Sequence, residues 1–190
     1  MSTNVPEAHL PTESQSPIIP GETVIPPSLV GAKGPELLAL VSRQPFFKGM
    51  KPAHLELLAE SAMEMQFAAG QWIFRSGEPA NRFYLILEGK VALGTEVKEQ
   101  PEMVQIRTLG PGDDLGWSWL FPPYYLHLGA CALEPTRAIF FYGTRLREQC
   151  ETDHEFGFEL MKRIAQVVVL NLQAIQDQLS QCVNTQVHTR

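Results

Sequence analysis

Between Met65 and Gly143 the chain falls into short strand-forming runs, each about ten residues from the next and each bounded by glycine or proline. MQFAAGQWIF ends in one such run, and RSGEPANR is a turn carrying Gly77 and Pro79. FYLILEGKVALGTEV reads as a hairpin, two β-forming runs around Glu88–Gly89. VQIRTLGPGDDLG is a strand, a Pro–Gly turn and a return. ACALEPTRAIFFYG adds two strands split at Glu134–Pro135. About seven or eight short strands at this spacing predict an all-β sandwich or roll.

Helical patterns flank this β region. Pro35 ahead of ELLALV starts a short helix, and Gln44–Pro45 ends it, because a residue before proline is pushed out of the α region. Phe46 and Phe47 are expected core anchors. A second helix is predicted from Pro52 to Ala62, with Leu55, Leu58 and Ala62 on one face. Thr144 is placed to cap a short helix reaching Cys150. A long helix follows from His154 to Leu179, on which Leu160, Ile164, Val168, Leu172, Ile175 and Leu179 step by threes and fours. Val169 and Leu170 lie outside that stripe, so the helix is apolar on more than one face and is expected to form a homodimer seam. The expected fold is therefore mainly β with flanking helices. Residues 1–34 form a Pro-rich tail expected to be disordered, 35–143 the N-terminal helices and β-roll, and 144–190 the hinge and dimerisation helix.

Charge and cysteine content narrow the function. The formal net charge is −6 and the fifteen Lys and Arg are scattered, which argues against a nucleic-acid face. Three cysteines, at 131, 150 and 182, are far apart and lack metal-site spacing, the usage of a reduced cytoplasmic protein. The first 30 residues show no signal-peptide pattern. Aliphatic runs such as Val167–Leu170 fall far short of the roughly 20 apolar residues of a membrane span. No GxSxG elbow, HExxH or P-loop lysine motif occurs, so catalysis is not expected.

The stretch Leu109–Leu128, LGPGDDLGWSWLFPPYYLHL, concentrates the chemistry. It holds Trp117, Trp119, Phe121, Tyr124 and Tyr125, and no Lys or Arg occurs between Arg107 and Arg137. Glycines at 110, 112 and 116 with Pro122–Pro123 predict a shaped loop rather than a helix.

The run GQWIFRSGEPANRFYLILEGKVAL, followed by IRTLGPGDDLGW and ACALEPTRAIFF, resembles the cyclic nucleotide-binding domain of the bacterial catabolite-activator (Crp/Fnr-like) superfamily over residues 45–180. The resemblance implies a jelly-roll β-roll followed by a long C-terminal helix that serves as hinge and dimer contact. It also implies that Leu109–Leu128 is the phosphate-binding cassette. In the family a Glu after the cassette glycine holds the ribose 2′-hydroxyl and an Arg pairs with the cyclic phosphate. With Gly116 on that glycine, Trp117 stands where the Glu belongs and Leu126 where the Arg belongs, with His127 the nearest group able to carry positive charge. Asp113 and Asp114 oppose an anion.

The cassette candidates are accordingly Gly116, Trp117, Ser118, Trp119, Tyr124, Tyr125, Leu126 and His127. Four readings follow. The rings plug the old pocket; or they line a remodelled pocket for a flat apolar effector, with Ser118 or His127 orienting it. The cassette takes a cyclic nucleotide through backbone amides and His127; or the domain holds haem through His127 or Cys131, the least expected of the four. The chain stops at Arg190 without a helix-turn-helix, so DNA binding by the family route is not expected. A regulatory module acting on an effector or a client protein is.

Overall fold

The computed structural model describes residues 28–30, 34–96 and 103–187. Nine strands among them form two antiparallel sheets. They are β1 (Ser28–Val30), β2 (Ala62–Phe67), β3 (Trp72–Phe74), β4 (Arg82–Glu88), β5 (Val91–Glu96), β6 (Met103–Leu109), β7 (Asp114–Leu115), β8 (Gly129–Ala132) and β9 (Thr136–Tyr142). One sheet runs β1-β2-β9-β4-β7 and the other β3-β8-β5-β6. Helices α1 (Pro35–Ser42) and α2 (Pro52–Ser61) precede this roll, and α3 (Gly143–Thr152) and α4 (His154–Val187) follow it.

The strand β4 explains how the layers stack. Its residues Phe83–Ile86 are all buried, so neither face of the strand meets water. Side chains alternate across a strand. Phe83 points to a cluster with Phe46, Phe141 and Trp119 at ring separations of 5.1, 6.1 and 6.3 Å. Tyr84 points the opposite way, to Phe67, Phe74 and Phe140 at 6.2, 6.0 and 6.1 Å. Strand β9 contributes to both clusters, Phe141 to the first and Phe140 to the second. Beyond it the first draws on the Pro45–Phe47 turn of 3₁₀-helix and the Trp119 loop, the second on the strands β2 and β3.

Local expectations differ from the structure at four places. Ala62 does not end α2 but opens β2, with ψ of 147°, because pairing with Phe141 of β9 decides its backbone. Thr144 does not cap α3. That helix begins at Gly143, whose N–H donates to the Asn81 carbonyl at 2.8 Å, and no side chain caps it. Ser28–Val30 lies inside the stretch expected to be a tail, yet pairs antiparallel with Glu64–Gln66 of β2. The Ile18–Ile19 and Val24–Ile25 pairs lie outside the described residues. Leu160 and Ile164, assigned to a dimer seam, are buried in this chain's own core with Phe47 and Phe156. The start of α4 is set by Asp153, whose Oδ1 accepts from the Glu155 and Phe156 amides at 3.0 Å each.

One ion pair is buried between β2 and β9. Glu64 Oε1 accepts from Arg137 Nε and Nη2 at 2.8 and 2.5 Å, and the Glu64 side chain is only 2% exposed. Arg137 also donates to the exposed Glu88 at 2.5 Å. Removing one member of a buried pair strands the other charge away from water. Arg137→Ala is therefore expected to lower unfolding free energy by about 3 kcal/mol in urea titration, whereas Glu88→Ala should cost less than about 1 kcal/mol. Equal losses would show that Glu64 is not the group Arg137 holds.

Candidate functional site

The stretch Leu109–Leu128 leaves β6, turns back through β7 and then leaves the sheet. Asp113 sets the turn by accepting the Gly110 amide at 2.8 Å. Gly116 follows β7 at φ 84°, ψ 23°, and a Cβ there would lie 2.7 Å from the Arg82 carbonyl oxygen, so this reversal needs glycine. A single turn of 3₁₀-helix, Trp117–Leu120, comes next.

From Phe121 to Leu128 the loop is held by main-chain bonds to the turn before β4. The Ala80 N–H donates to the Tyr124 carbonyl at 2.7 Å, Leu126 N–H to Glu78 at 2.9 Å, and Gly77 N–H to Leu126 at 2.8 Å. Arg147 of α3 closes the other side. Its Nη1 donates to the Trp119 carbonyl at 2.6 Å and its guanidinium stacks 4.4 Å from the Tyr124 ring. The loop is thus anchored on that turn and on α3.

Beneath it lies a cavity of about 290 Å³. The cassette contributes Asp114, Leu115, Gly116, Trp117 and Ser118, and the end of the loop Leu126, His127 and Leu128. Phe74 of β3 and Leu93 of β5 form the floor, both from the β3-β8-β5-β6 sheet. The far wall is α4, through Val168, Asn171, Leu172 and Ile175. The lining contains no Lys or Arg. Arg107 of β6 is engaged beside it, donating to Asn171 Oδ1 at 2.5 Å.

Asp114 is the anomaly. Burial pushes its carboxyl up to about 7, with the neighbouring Asp113 charge adding to the rise and its own backbone bond and Arg107 opposing it. Its Oδ2 is buried without a hydrogen-bond partner among the described residues.

The cassette residues therefore separate. Gly116, Trp117, Ser118, Leu126 and His127 meet at the cavity. Trp119 does not: it is fully buried in the core, its ring against Phe83, and a Cβ on Gly143 would lie 2.6 Å from its own Cβ. A 3₁₀ turn sends residues 117 and 119 to different sides. Tyr124 and Tyr125 are also absent from the cavity and lie exposed on the loop's outer surface, 39% and 50% open to solvent. Ring stacking by these three residues is not available to an occupant. Sequence reasoning set Asp114 against an anion without placing it among the cassette candidates, and assigned Val168, Leu172 and Ile175 to a seam rather than to a cavity wall. A second cleft, between the Pro45–Lys51 turn and α4, does hold cations, but Lys51, Lys162 and Arg163 are paired there with Glu155 and Glu159. No group of three or more His, Cys, Asp or Glu among the described residues is arranged to hold a metal ion, and no described helix is long and apolar enough to cross a membrane.

Residues 64–153 match the family described as the cyclic nucleotide-binding domain. The chain is 26% identical over 126 residues to a CRP-like cAMP-activated global transcriptional regulator of Mycobacterium tuberculosis, covering 66% of this chain and 56% of that protein. It thus spans about half the length of the curated relatives it matches. Among solved structures, a cyclic nucleotide-binding protein from Geobacter metallireducens GS-15 superposes with a TM-score of 0.64 at 29% identity, over 70% of this chain and 96% of that one. A cyclic nucleotide-binding-like protein from Brucella abortus gives 0.50 at 31% identity, over 60% and 97%.

The separation of core from cavity is testable by stability. Trp119→Ala should cost about 3–5 kcal/mol in chemical denaturation, and Tyr125→Ala no more than about 0.5 kcal/mol. A near-neutral Trp119→Ala would return that ring to the binding surface.

Proposed function

We propose, from the premise that this chain carries a Crp/Fnr-like cyclic nucleotide-binding domain, that it is a regulatory module whose effector cavity no longer takes cAMP or cGMP in the usual way. The observation that carries this reading is the lining itself: a cassette-and-helix cavity with apolar walls, a carboxyl whose Oδ2 has no partner among the described residues, and no guanidinium. An Arg–phosphate pair lost from such a site costs on the order of 2–5 kcal/mol, or roughly 30- to several thousand-fold in affinity. Asp114 adds repulsion. Of the readings open from the sequence, a remodelled effector pocket agrees best with the geometry, because a plug of rings would leave less than the 290 Å³ that remains and two of its rings face solvent.

Regulation requires that an occupant favour one of two states of the molecule. The cavity supplies a route, since α4 forms one wall of it. A different register from the one read in the sequence gives α4 an apolar stripe, Phe158, Met161, Ala165, Val168, Leu172, Ile175 and Leu179, alternating by three and four residues, half-buried at Val168 and Ile175 and exposed at the rest. Phe158 and Leu179 are 65% and 62% exposed. Pairing of two chains along this stripe would put cavity wall and dimer seam on the same helix, so an effector that moves Val168 or Ile175 also moves the seam. A regulatory and not a catalytic role, in the cytoplasm and toward a client protein, fits this arrangement.

Titration calorimetry with cAMP and with cGMP is expected to show no binding at micromolar concentrations. The double change Trp117→Glu and Leu126→Arg restores the family's ribose and phosphate groups and should produce measurable cAMP binding. Micromolar binding by the unmodified protein would overturn the reading. For the seam, sedimentation velocity should show a dimer that Phe158→Glu with Leu179→Glu converts to monomer, while Leu170→Glu, off the stripe, leaves it intact.

A further inference from the structure

A buried acceptor with no donor is unstable as it stands and defines what would relieve it. Asp114, one of the residues that line the cavity, carries such an acceptor in its Oδ2. The groups that ordinarily satisfy a carboxylate are committed elsewhere. Arg107 donates to Asn171 Oδ1, and the Gly110 amide donates to Asp113. The second carboxylate, Asp113, adds negative potential at the same corner. Opposite these oxygens the walls are aromatic and aliphatic: Phe74, Leu93, Trp117 and Leu128. One pole is anionic and the remainder apolar. An occupant that matches both carries a hydrogen-bond-donating cation on a hydrophobic body. Its charge is stabilised by a charge-assisted hydrogen bond to the carboxylate, and by the face of Trp117 if the two come within reach. Phosphate-bearing molecules have the opposite polarity and are rejected by the same groups.

We propose that Asp114 anchors a ligand site for a small apolar amine, an aromatic or alicyclic body bearing one ammonium group, in the cavity between the cassette and α4. The proposal rests on reading that cavity as the effector pocket. It goes beyond that reading by assigning the sign of the ligand's charge and the atom that receives it. The pH dependence follows from the surroundings of the carboxyl. Asp113 on the same turn, Arg107 on β6 and His127 at the end of the loop are the charged or titratable groups around it, and α4 contributes the neutral Asn171. Burial keeps Asp114 partly protonated near neutrality, so amine affinity rises as pH goes from 6 to 8 and the carboxylate forms.

The test uses three matched probes on the full chain at pH 8, followed by amide NMR titration: phenethylamine, 2-phenylethanol and 3-phenylpropionate. Phenethylamine is expected to shift resonances in Asp114–Ser118 and in Val168–Ile175 and to bind about ten-fold or more tightly than 3-phenylpropionate. Asp114→Asn, which keeps the shape and removes the charge, is expected to abolish that preference without changing the thermal midpoint by more than a few degrees. Equal binding of all three probes at the cavity overturns the amine assignment and leaves the effector pocket standing. A preference for the amine that survives Asp114→Asn overturns Asp114 as the anchor. No perturbation by any probe overturns the assignment and the pocket together.

Discussion

A strand buried on both faces must be covered twice, and β4 imposes that demand on the whole molecule. The roll interior covers the Tyr84 face through Phe67, Phe74 and Phe140. The Phe83 face needs a second layer, which the Pro45–Phe47 turn and Trp119 begin and Leu146, Phe156, Leu160 and Ile164 extend within the same core. Burying side chains of this size contributes about 1.5–3 kcal/mol each, more than any single surface contact in the chain. The C-terminal helices are therefore tied to the sheet by their first turns. Only the later part of α4 is left to do something else, and that is the part that walls the cavity.

Much of this architecture is legible in the sequence because its signals are local. Strand runs bounded by Gly77, Gly89 and Pro–Gly turns need only a few residues to declare themselves. That no Lys or Arg stands between Arg107 and Arg137 can be read from the residues alone. What fails is whatever depends on pairing at a distance. Ala62 continues a helical spacing, yet six consecutive residue pairs between β2 and β9 draw it into a strand. Ser28–Val30 sits among prolines and carries no strand pattern, but meets an open edge at Glu64–Gln66. Leu160 and Ile164 share their periodicity with the outward stripe, since a helix apolar on two faces gives no clue to which face turns inward.

The site shows the same division. That Leu109–Leu128 forms a bent loop with no cation follows from its residues, and Gly116 is where the chain must reverse. Which rings point inward does not follow. Trp117 and Trp119 are two residues apart and equally hydrophobic, yet one borders the cavity and the other fills the core. Asp114 is the opposite case. An acidic residue after a Pro–Gly turn is ordinary in sequence, and only its depth makes it unusual. A carboxyl held near 7 by burial is chemically different from one at the surface, and composition cannot distinguish them.

Gly143 has no side chain because Trp119 occupies the space where one would start. The two positions therefore cannot mutate independently. A Cβ at 143 would lie 2.6 Å from the Cβ of residue 119, so even alanine at 119 keeps that space closed and only glycine there would open it. The first residue of the helix is in this way held to glycine whichever side chain residue 119 carries. The point where α3 leaves the roll is fixed by an absent atom as much as by any bond.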